Sequence, residues 1–275
     1  MEFAGKDMQP ILRTDNVVKR YGGGAMARGR EVCALDGISL EVYSGTTLAV
    51  IGPSGSGKST LGFCLACLER VSSGKIWING REITELDERE LRAVRPSVQL
   101  VFQDPVSSLN PRMSARELVM EPLKVQKWRG KEEQSARARE LLDRVGIARA
   151  KEGHHSGEFS GGQRQRIAIA RALALEPKVL ILDESLSALD CSVQAKVANL
   201  LMELQSYMGL TYVFITHDLA MAAHLGDEIA VMNGGRIVEM GSAKSVVDAP
   251  LHEVTQRLVN ASRGSTAVAR SPQLV

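Results

Sequence analysis

The sequence has no apolar run long enough to cross a bilayer. Its longest runs, such as Val179-Leu180-Ile181-Leu182, are strand-sized, whereas a spanning helix needs about 20 apolar residues. The first residues, Met1 to Asp7, hold no apolar stretch that would read as a secretory signal. Net charge is equally slight. The 34 Lys and Arg against 32 Asp and Glu leave +2, too little to point to nucleic acid or a membrane surface.

Cysteine is scarce as well: Cys33, Cys64, Cys67 and Cys191. Cys64 and Cys67 have the C-x-x-C spacing of a redox or metal half-site, but no second pair completes a metal tetrad. Both fall among Leu61, Phe63, Leu65 and Leu68 on an expected helix, where they read as apolar packing in a reduced compartment. His154-His155, with no carboxylate or cysteine partner read nearby, is expected in a solvated loop.

What is present is a chain of 275 residues, 44% hydrophobic and 24% charged, enough for one large α/β domain. Ile38, Leu40 and Val42 alternate with polar residues before a turn at Ser44-Gly45, and Thr47–Ile51 reads as the next strand. Ile76-Trp77-Ile78 followed by Asn79-Gly80 reads as a strand entering a tight hairpin. These strands suggest an antiparallel edge layer. From about Ala115 to Ala174 the pattern is helical. Strand–helix alternation then resumes with Val179–Leu182, a helix over Val193–Tyr207, and strands at Thr211–Ile215, Glu228–Met232 and Arg236–Met240. Residues 261–275 are expected to form a loose tail.

Gly52-Pro53-Ser54-Gly55-Ser56-Gly57-Lys58-Ser59 fits G-x-x-x-x-G-K-[ST], between an apolar strand and a helix. Glycines let backbone N–H groups converge on phosphate oxygens, and the helix N-terminus adds its positive field. Gly52, Ser54, Gly55, Gly57, Lys58, Ser59 and Thr60 are the candidate nucleotide-binding residues, with Lys58 on the β- and γ-phosphates and Ser59 on Mg²⁺. A mere Gly/Ser turn produces this pattern in about one chain in a hundred of this length.

A second element is the apolar run Val179–Leu182 ending in Asp183-Glu184. Ligands sit beyond the C-terminal ends of doubly buried strands. Asp183 there suits Mg²⁺, and Glu184 suits polarisation of an attacking water. A GTPase or small-molecule kinase could share both elements.

Phe159-Ser160-Gly161-Gly162-Gln163-Arg164-Gln165-Arg166 discriminates further, because it resembles the signature sequence of the ABC ATPase superfamily. The resemblance runs from about residue 11 to residue 260. It implies a P-loop NTPase (RecA-like) α/β core with an antiparallel β edge layer and a helical subdomain. Residues 11–103 and 175–250 would form the core and residues 104–174 the subdomain. It also implies that ATP is sandwiched between two subunits, with Ser160, Gly161, Gly162 and Gln163 closing the partner's site. Gln103 resembles the glutamine that touches Mg²⁺ and water. Ser187-Ala188-Leu189-Asp190 resembles the loop crossing the dimer interface, with Asp190 at the nucleotide. His217 resembles the switch histidine at the γ-phosphate. Tyr21, before a Gly-rich stretch at 22–29, resembles the aromatic that stacks on adenine. Glu184, His217 and Gln103 are thus the candidate catalytic residues; Ser59, Gln103 and Asp183 are the candidate metal ligands.

One cassette with no fused membrane helices, coiled coil or zinc insertion favours the motor subunit of an importer. Val101-Phe102-Gln103-Asp104-Pro105, then Ser108–Met113, resemble the oligopeptide, dipeptide and nickel importer ATPases, as does the start of Pro250-Leu251-His252. Glu253-Val254-Thr255 departs from the Pro-Tyr-Thr of that group, and Ser185 stands where a proline usually follows the catalytic glutamate. The implied partners are a second ABC ATPase subunit (in a hetero- or homodimer), two transmembrane permease subunits and an extracytoplasmic solute-binding protein. The chain would then lie peripherally on the cytoplasmic face of the membrane, with no direct nucleic-acid partner. The alternative is a soluble ABC-type ATPase acting on nucleic acid or a protein complex.

Overall fold

A computed structural model describes residues 9–22, 31–104 and 108–268 of the chain. Most of the Gly-rich stretch after Tyr21, and Pro105, lie outside these residues.

In chain order the first elements are β1 (Leu12–Tyr21), β2 (Val32–Val42), β3 (Thr47–Ile51), α1 (Lys58–Leu65), β4 (Ser73–Ile78) and β5 (Arg81–Glu82). Next come α2 (Glu88–Val94), β6 (Val98–Val101), α3 (Ala115–Val125), α4 (Lys131–Arg144) and α5 (Gly161–Leu173). They are followed by β7 (Val179–Asp183), α6 (Cys191–Met208), β8 (Thr211–Ile215), α7 (Leu219–Leu225) and β9 (Glu228–Asn233). The last described elements are β10 (Arg236–Ser242), α8 (Ala243–Asp248) and α9 (Glu253–Val268).

These elements fall into two compact units. One is drawn from Met1–Asp87 and Tyr212–Val275, the other is Glu88–Thr211. The division differs from the expected helical insert at 104–174. The second unit also takes in α2, β6, β7 and α6, because β6 pairs in parallel along β7 and α5 packs on β6.

In the first unit, β2, β1, β4 and β5 form an antiparallel sheet in that order, the edge layer expected from the alternation. Asn79 and Gly80 both adopt positive φ, 51° and 76°, as a two-residue hairpin turn requires. Strand β3 is buried at all five residues and lies between β8 and β9, parallel to both. A strand covered on both faces is nearly continuous in apolar residues, so alternation is lost. Helix α7 packs against β3, and α9 against α7.

The tail expected at 261–275 is helical as far as Val268, where the described residues end. No proline interrupts the stretch before Pro272, and α9 starts from a fixed point. Glu239 on β10 accepts the Leu251 and His252 amides, each at 2.9 Å. Burial raises the Glu239 pKa, but the nearby Thr255 hydroxyl and then these two amides outweigh it and leave the carboxyl below its usual range.

In the second unit, α3 opens with a capping box: Ser114 Oγ accepts the Glu117 amide at 3.3 Å, and Glu117 returns the bond to Ser114 N–H at 2.9 Å. Helix α6 buries Val197, Ala198, Leu200, Leu201 and Leu204, the stripe of an amphipathic helix. It stops at Gly209, whose φ of 64° is left-handed. Cys64 ends up on α1, but Cys67 lies just beyond it with φ 58°. Both are buried free thiols, and burial pushes Cys64 up to about 12. His154 does have a carboxylate neighbour, Glu158 at 3.6 Å. Even so, no cluster of three or more metal-ligating side chains forms among the described residues.

Candidate functional site

The phosphate loop leaves the buried end of β3 and is shaped by what its backbone excludes. Gly52 has φ 153°, and a Cβ there would run into the Met232 carbonyl oxygen; Gly57 has φ 102°, and a Cβ there would run into the Ala34 carbonyl oxygen. Gly55 faces open space, so its need for glycine comes from φ 77° alone. The turn between β9 and β10 pins the loop from outside, since Gly235 N–H donates to Ser56 O at 3.0 Å.

Lys58 opens α1 and is 5% exposed. Its ammonium donates to the Gly52 and Pro53 carbonyls at 2.9 and 3.0 Å, which holds the loop closed around the lysine. Helix α1 has no acidic residue in its first turn and no side-chain cap, so the positive field at its N-terminus is uncompensated. Ser54 is exposed, and Ser59 and Thr60 are half-buried on that first turn. One residue was missed by reasoning from the motif. Ser56 is 3% exposed, and its buried hydroxyl has no hydrogen-bond partner. An orphaned donor inside a glycine cradle fits a phosphate oxygen; only its place within the motif could have signalled it.

His217 follows β8 and is exposed. Its loop is fixed on both sides. Thr216 N–H donates to Val50 O at 3.1 Å, and Asp218 caps α7 by accepting the Ala220 and Met221 amides at 2.8 and 3.1 Å. His217 and Asp218 line a cavity of about 410 Å³ closed by Leu258, Ala261 and Ser262 of α9. Tyr21 ends β1 at 38% exposure, and the Lys19 ammonium sits 4.8 Å over its ring.

In the second unit β7 is buried along its whole length. Burying each Val, Leu or Ile contributes roughly 1.5–3 kcal/mol, so the strand's register is firmly set. Val101 of β6 stands opposite Leu182 of β7. Two residues on, that register brings Gln103 level with Glu184, and Gln103 Nε2 donates to Glu184 Oε2 at 3.1 Å. Asp183 is 5% exposed. Glu184 itself has φ 44°, a costly conformation for a side chain with a Cβ. It is held by Ser187, whose hydroxyl and amide donate to the Glu184 carbonyl at 2.8 and 3.1 Å.

The Ser160 segment forms the N-terminus of α5. Ser160 Oγ accepts the Gln163 amide at 3.4 Å, and Gln163 returns the bond to Ser160 N–H at 3.0 Å. Ser160 and Gly161 are exposed, whereas Gly162 is buried and a Cβ there would run into Val193. The first turn of α5 carries no acid, while α3 and α4 each carry one or two. Asp190 caps α6 by accepting the Val193 amide at 3.0 Å and the Ser192 hydroxyl at 2.8 Å. Those bonds, that from Ser192 first, lower its pKa.

The donors expected to hold Mg²⁺ are a hydroxyl (Ser59), an amide carbonyl (Gln103) and a carboxylate (Asp183). Such hard oxygen ligands suit that ion.

The chain is similar to known proteins of one family. A family model described as ABC transporter matches residues 35–187. The oligopeptide transport ATP-binding protein OppD of Mycobacterium tuberculosis is 46% identical over 259 residues, covering 93% of this chain and 42% of its own length. The glutathione import ATP-binding protein GsiA of Escherichia coli is 42% identical over 272 residues, covering 98% of this chain and 44% of its own length. The chain thus spans less than half the length of these curated relatives. Among solved structures, a dimeric ATP-binding cassette in a post-hydrolysis state with ADP and Pi superposes with a TM-score of 0.75 at 33% identity, over 84% of this chain and 98% of that one. A component of the cbiONQ ABC transporter complex from Clostridium perfringens gives 0.78 at 30% identity, over 94% and 98%.

Proposed function

Because the chain belongs to the ABC transporter family, we propose that it binds ATP with Mg²⁺, hydrolyses it as one subunit of a dimer, and powers peptide import through partner permeases. The observation that carries this reading is the Gln103–Glu184 hydrogen bond at the ends of two paired strands. It holds a carboxylate and an amide together as a water-orienting pair.

The first unit supplies phosphate binding. Lys58 places its ammonium on the terminal phosphates, Ser59 and Thr60 add hydroxyls, and the α1 N-terminus adds its field. Tyr21 receives the adenine, and His217 contacts the γ-phosphate. The second unit supplies the acid–base group. Glu184 takes the proton of the attacking water, and Gln103 orients that water. Ser59, Gln103 and Asp183 would hold Mg²⁺, which would supply neutralisation of phosphate charge. Ser160, Gly161, Gly162 and Gln163 offer the uncompensated α5 N-terminus to the partner's nucleotide, beside the loop that Asp190 anchors.

No helix among the described residues is long and apolar enough to cross a membrane, and the proposed transport runs through permease partners. Two of these, a second ATPase of the same or a different kind, and an extracytoplasmic solute-binding protein complete the assembly. The chain then sits peripherally at the cytoplasmic face. The relatives' names, oligopeptide transport and glutathione import, favour a peptide cargo over nickel or another small solute. Tagging the chain in its native cell and identifying what leaves gently solubilised membranes with it tests the reading. Two permeases, a second ATPase and a binding protein are expected. Recovery from the soluble fraction alone, with nucleic acid or cytosolic proteins, overturns the transport role.

A further inference from the structure

The turn joining α3 to α4 concentrates charge that the whole-chain balance hides. Lys124, Lys127, Arg129 and Lys131 are all exposed. Between them stand Val125, 72% exposed, and the half-buried Trp128. The neighbouring carboxylates are engaged elsewhere. Glu121 pairs with Arg171 at 2.9 Å, and Glu133 accepts the Gly130 amide at 2.8 Å. Glu140 holds Arg137 and Arg144 at 2.9 and 3.1 Å, and Glu176 faces Arg137 at 3.8 Å. Glu132 and Glu133 are the exposed counter-charges within the stretch, since accepting an amide leaves the Glu133 carboxylate charged.

The turn is also held in one shape. Lys127 and Arg129 have φ of 52° and 48°, left-handed conformations that residues other than glycine seldom adopt. Gln134, 7% exposed, fixes them by donating to the Trp128 and Arg129 carbonyls at 2.8 and 3.3 Å. Trp128 N–H donates to Leu123 O at 2.9 Å, and the Arg129 guanidinium lies 4.4 Å over the indole.

A solvated charge run accounts for the lysines, but not for an exposed valine and a clamped tryptophan among them. Cations interleaved with an indole and an aliphatic side chain match an anionic bilayer surface. Lys and Arg there meet headgroup phosphates, and tryptophan settles at the water–hydrocarbon boundary. Nucleic acid fits less well, because Arg129 already occupies a face of the ring on which a base would stack. We propose that the α3–α4 turn is a membrane-contact surface that rests on anionic lipid headgroups. The proposal does not depend on the nucleotide chemistry.

The test is co-sedimentation of the full chain with phosphatidylglycerol-containing vesicles and with pure phosphatidylcholine vesicles. The chain should bind the anionic vesicles and release them at high salt. Lys124→Glu/Lys127→Glu/Lys131→Glu should lower partitioning roughly a hundredfold, from about fivefold per cation. Arg89→Glu/Arg92→Glu/Lys244→Glu makes the same change in net charge at exposed sites outside the turn, and should retain most of the binding. Trp77→Phe leaves Trp128 as the sole indole; its emission should shift to the blue on anionic vesicles. Equal losses in the two triple variants, equal binding to neutral vesicles, an unchanged emission, or retention on DNA without retention on vesicles overturns the proposal. Matching thermal midpoints establish that each variant is folded.

Discussion

In the first unit the phosphate loop takes its shape from exclusion, with Gly52 and Gly57 sitting where a Cβ would collide with backbone carbonyls. In the second unit the candidate site residues take their places from side-chain hydrogen bonds: Gln103 to Glu184, Ser187 to the Glu184 carbonyl, and Ser160 to Gln163. The contrast teaches where each site tolerates change. A backbone cradle fails all at once when its glycine is lost. A network of side-chain bonds loses one function at a time and leaves the fold in place.

The largest expected effect follows from the first half of that contrast. Gly57→Ala forces a side chain into left-handed backbone and against the Ala34 carbonyl. It should cost about 3–5 kcal/mol of stability and abolish ATP binding. Thermal unfolding and equilibrium binding of a fluorescent ATP analogue check this, and a variant that still binds would dissolve the distinction between the units. Gln103→Ala probes the second half. Losing a hydrogen bond to a charged group should slow hydrolysis about tenfold to a hundredfold, with nucleotide affinity and thermal midpoint near normal. A parallel fall in affinity would mean that Gln103 builds the site rather than serving the reaction.

Asp190→Ala should cost about 1 kcal/mol, the worth of a helix cap. Whether ATP turnover falls further than that loss accounts for decides whether Asp190 does more than cap α6. The smallest effect concerns the thiols. Cys33 and Cys191 are exposed and should react with a maleimide in the native protein. Cys64 and Cys67, buried and with Cys64 pushed up to about 12, should react only after unfolding. Rapid labelling of all four would reopen the redox reading of the C-x-x-C.

Much of this was legible in the sequence because each motif is local. The phosphate loop, the apolar run into Asp183-Glu184 and the Ser160 segment carry their chemistry within a few consecutive residues. The strands followed from period and turn chemistry, down to Asn79-Gly80. What could not be read depends on three dimensions. The Gln103–Glu184 bond joins residues 81 apart and arises from the β6–β7 register. The orphaned Ser56 hydroxyl is known only from burial. The Glu239 carboxylate that seats α9 belongs to another element, so a stretch of small polar residues looked like a tail. The basic turn vanished in a net charge of +2, because that sum runs over the whole chain and hides a local cluster.

The most direct test of the central claim is the mass of Glu184→Gln in solution, with and without Mg²⁺ and ATP, alongside its phosphate release. The account predicts that this variant binds ATP, releases phosphate about a thousandfold more slowly than the natural chain, and doubles in mass on nucleotide, with itself or with its partner ATPase. Near-normal turnover, or a protein that binds ATP and stays monomeric with every candidate partner, would contradict it.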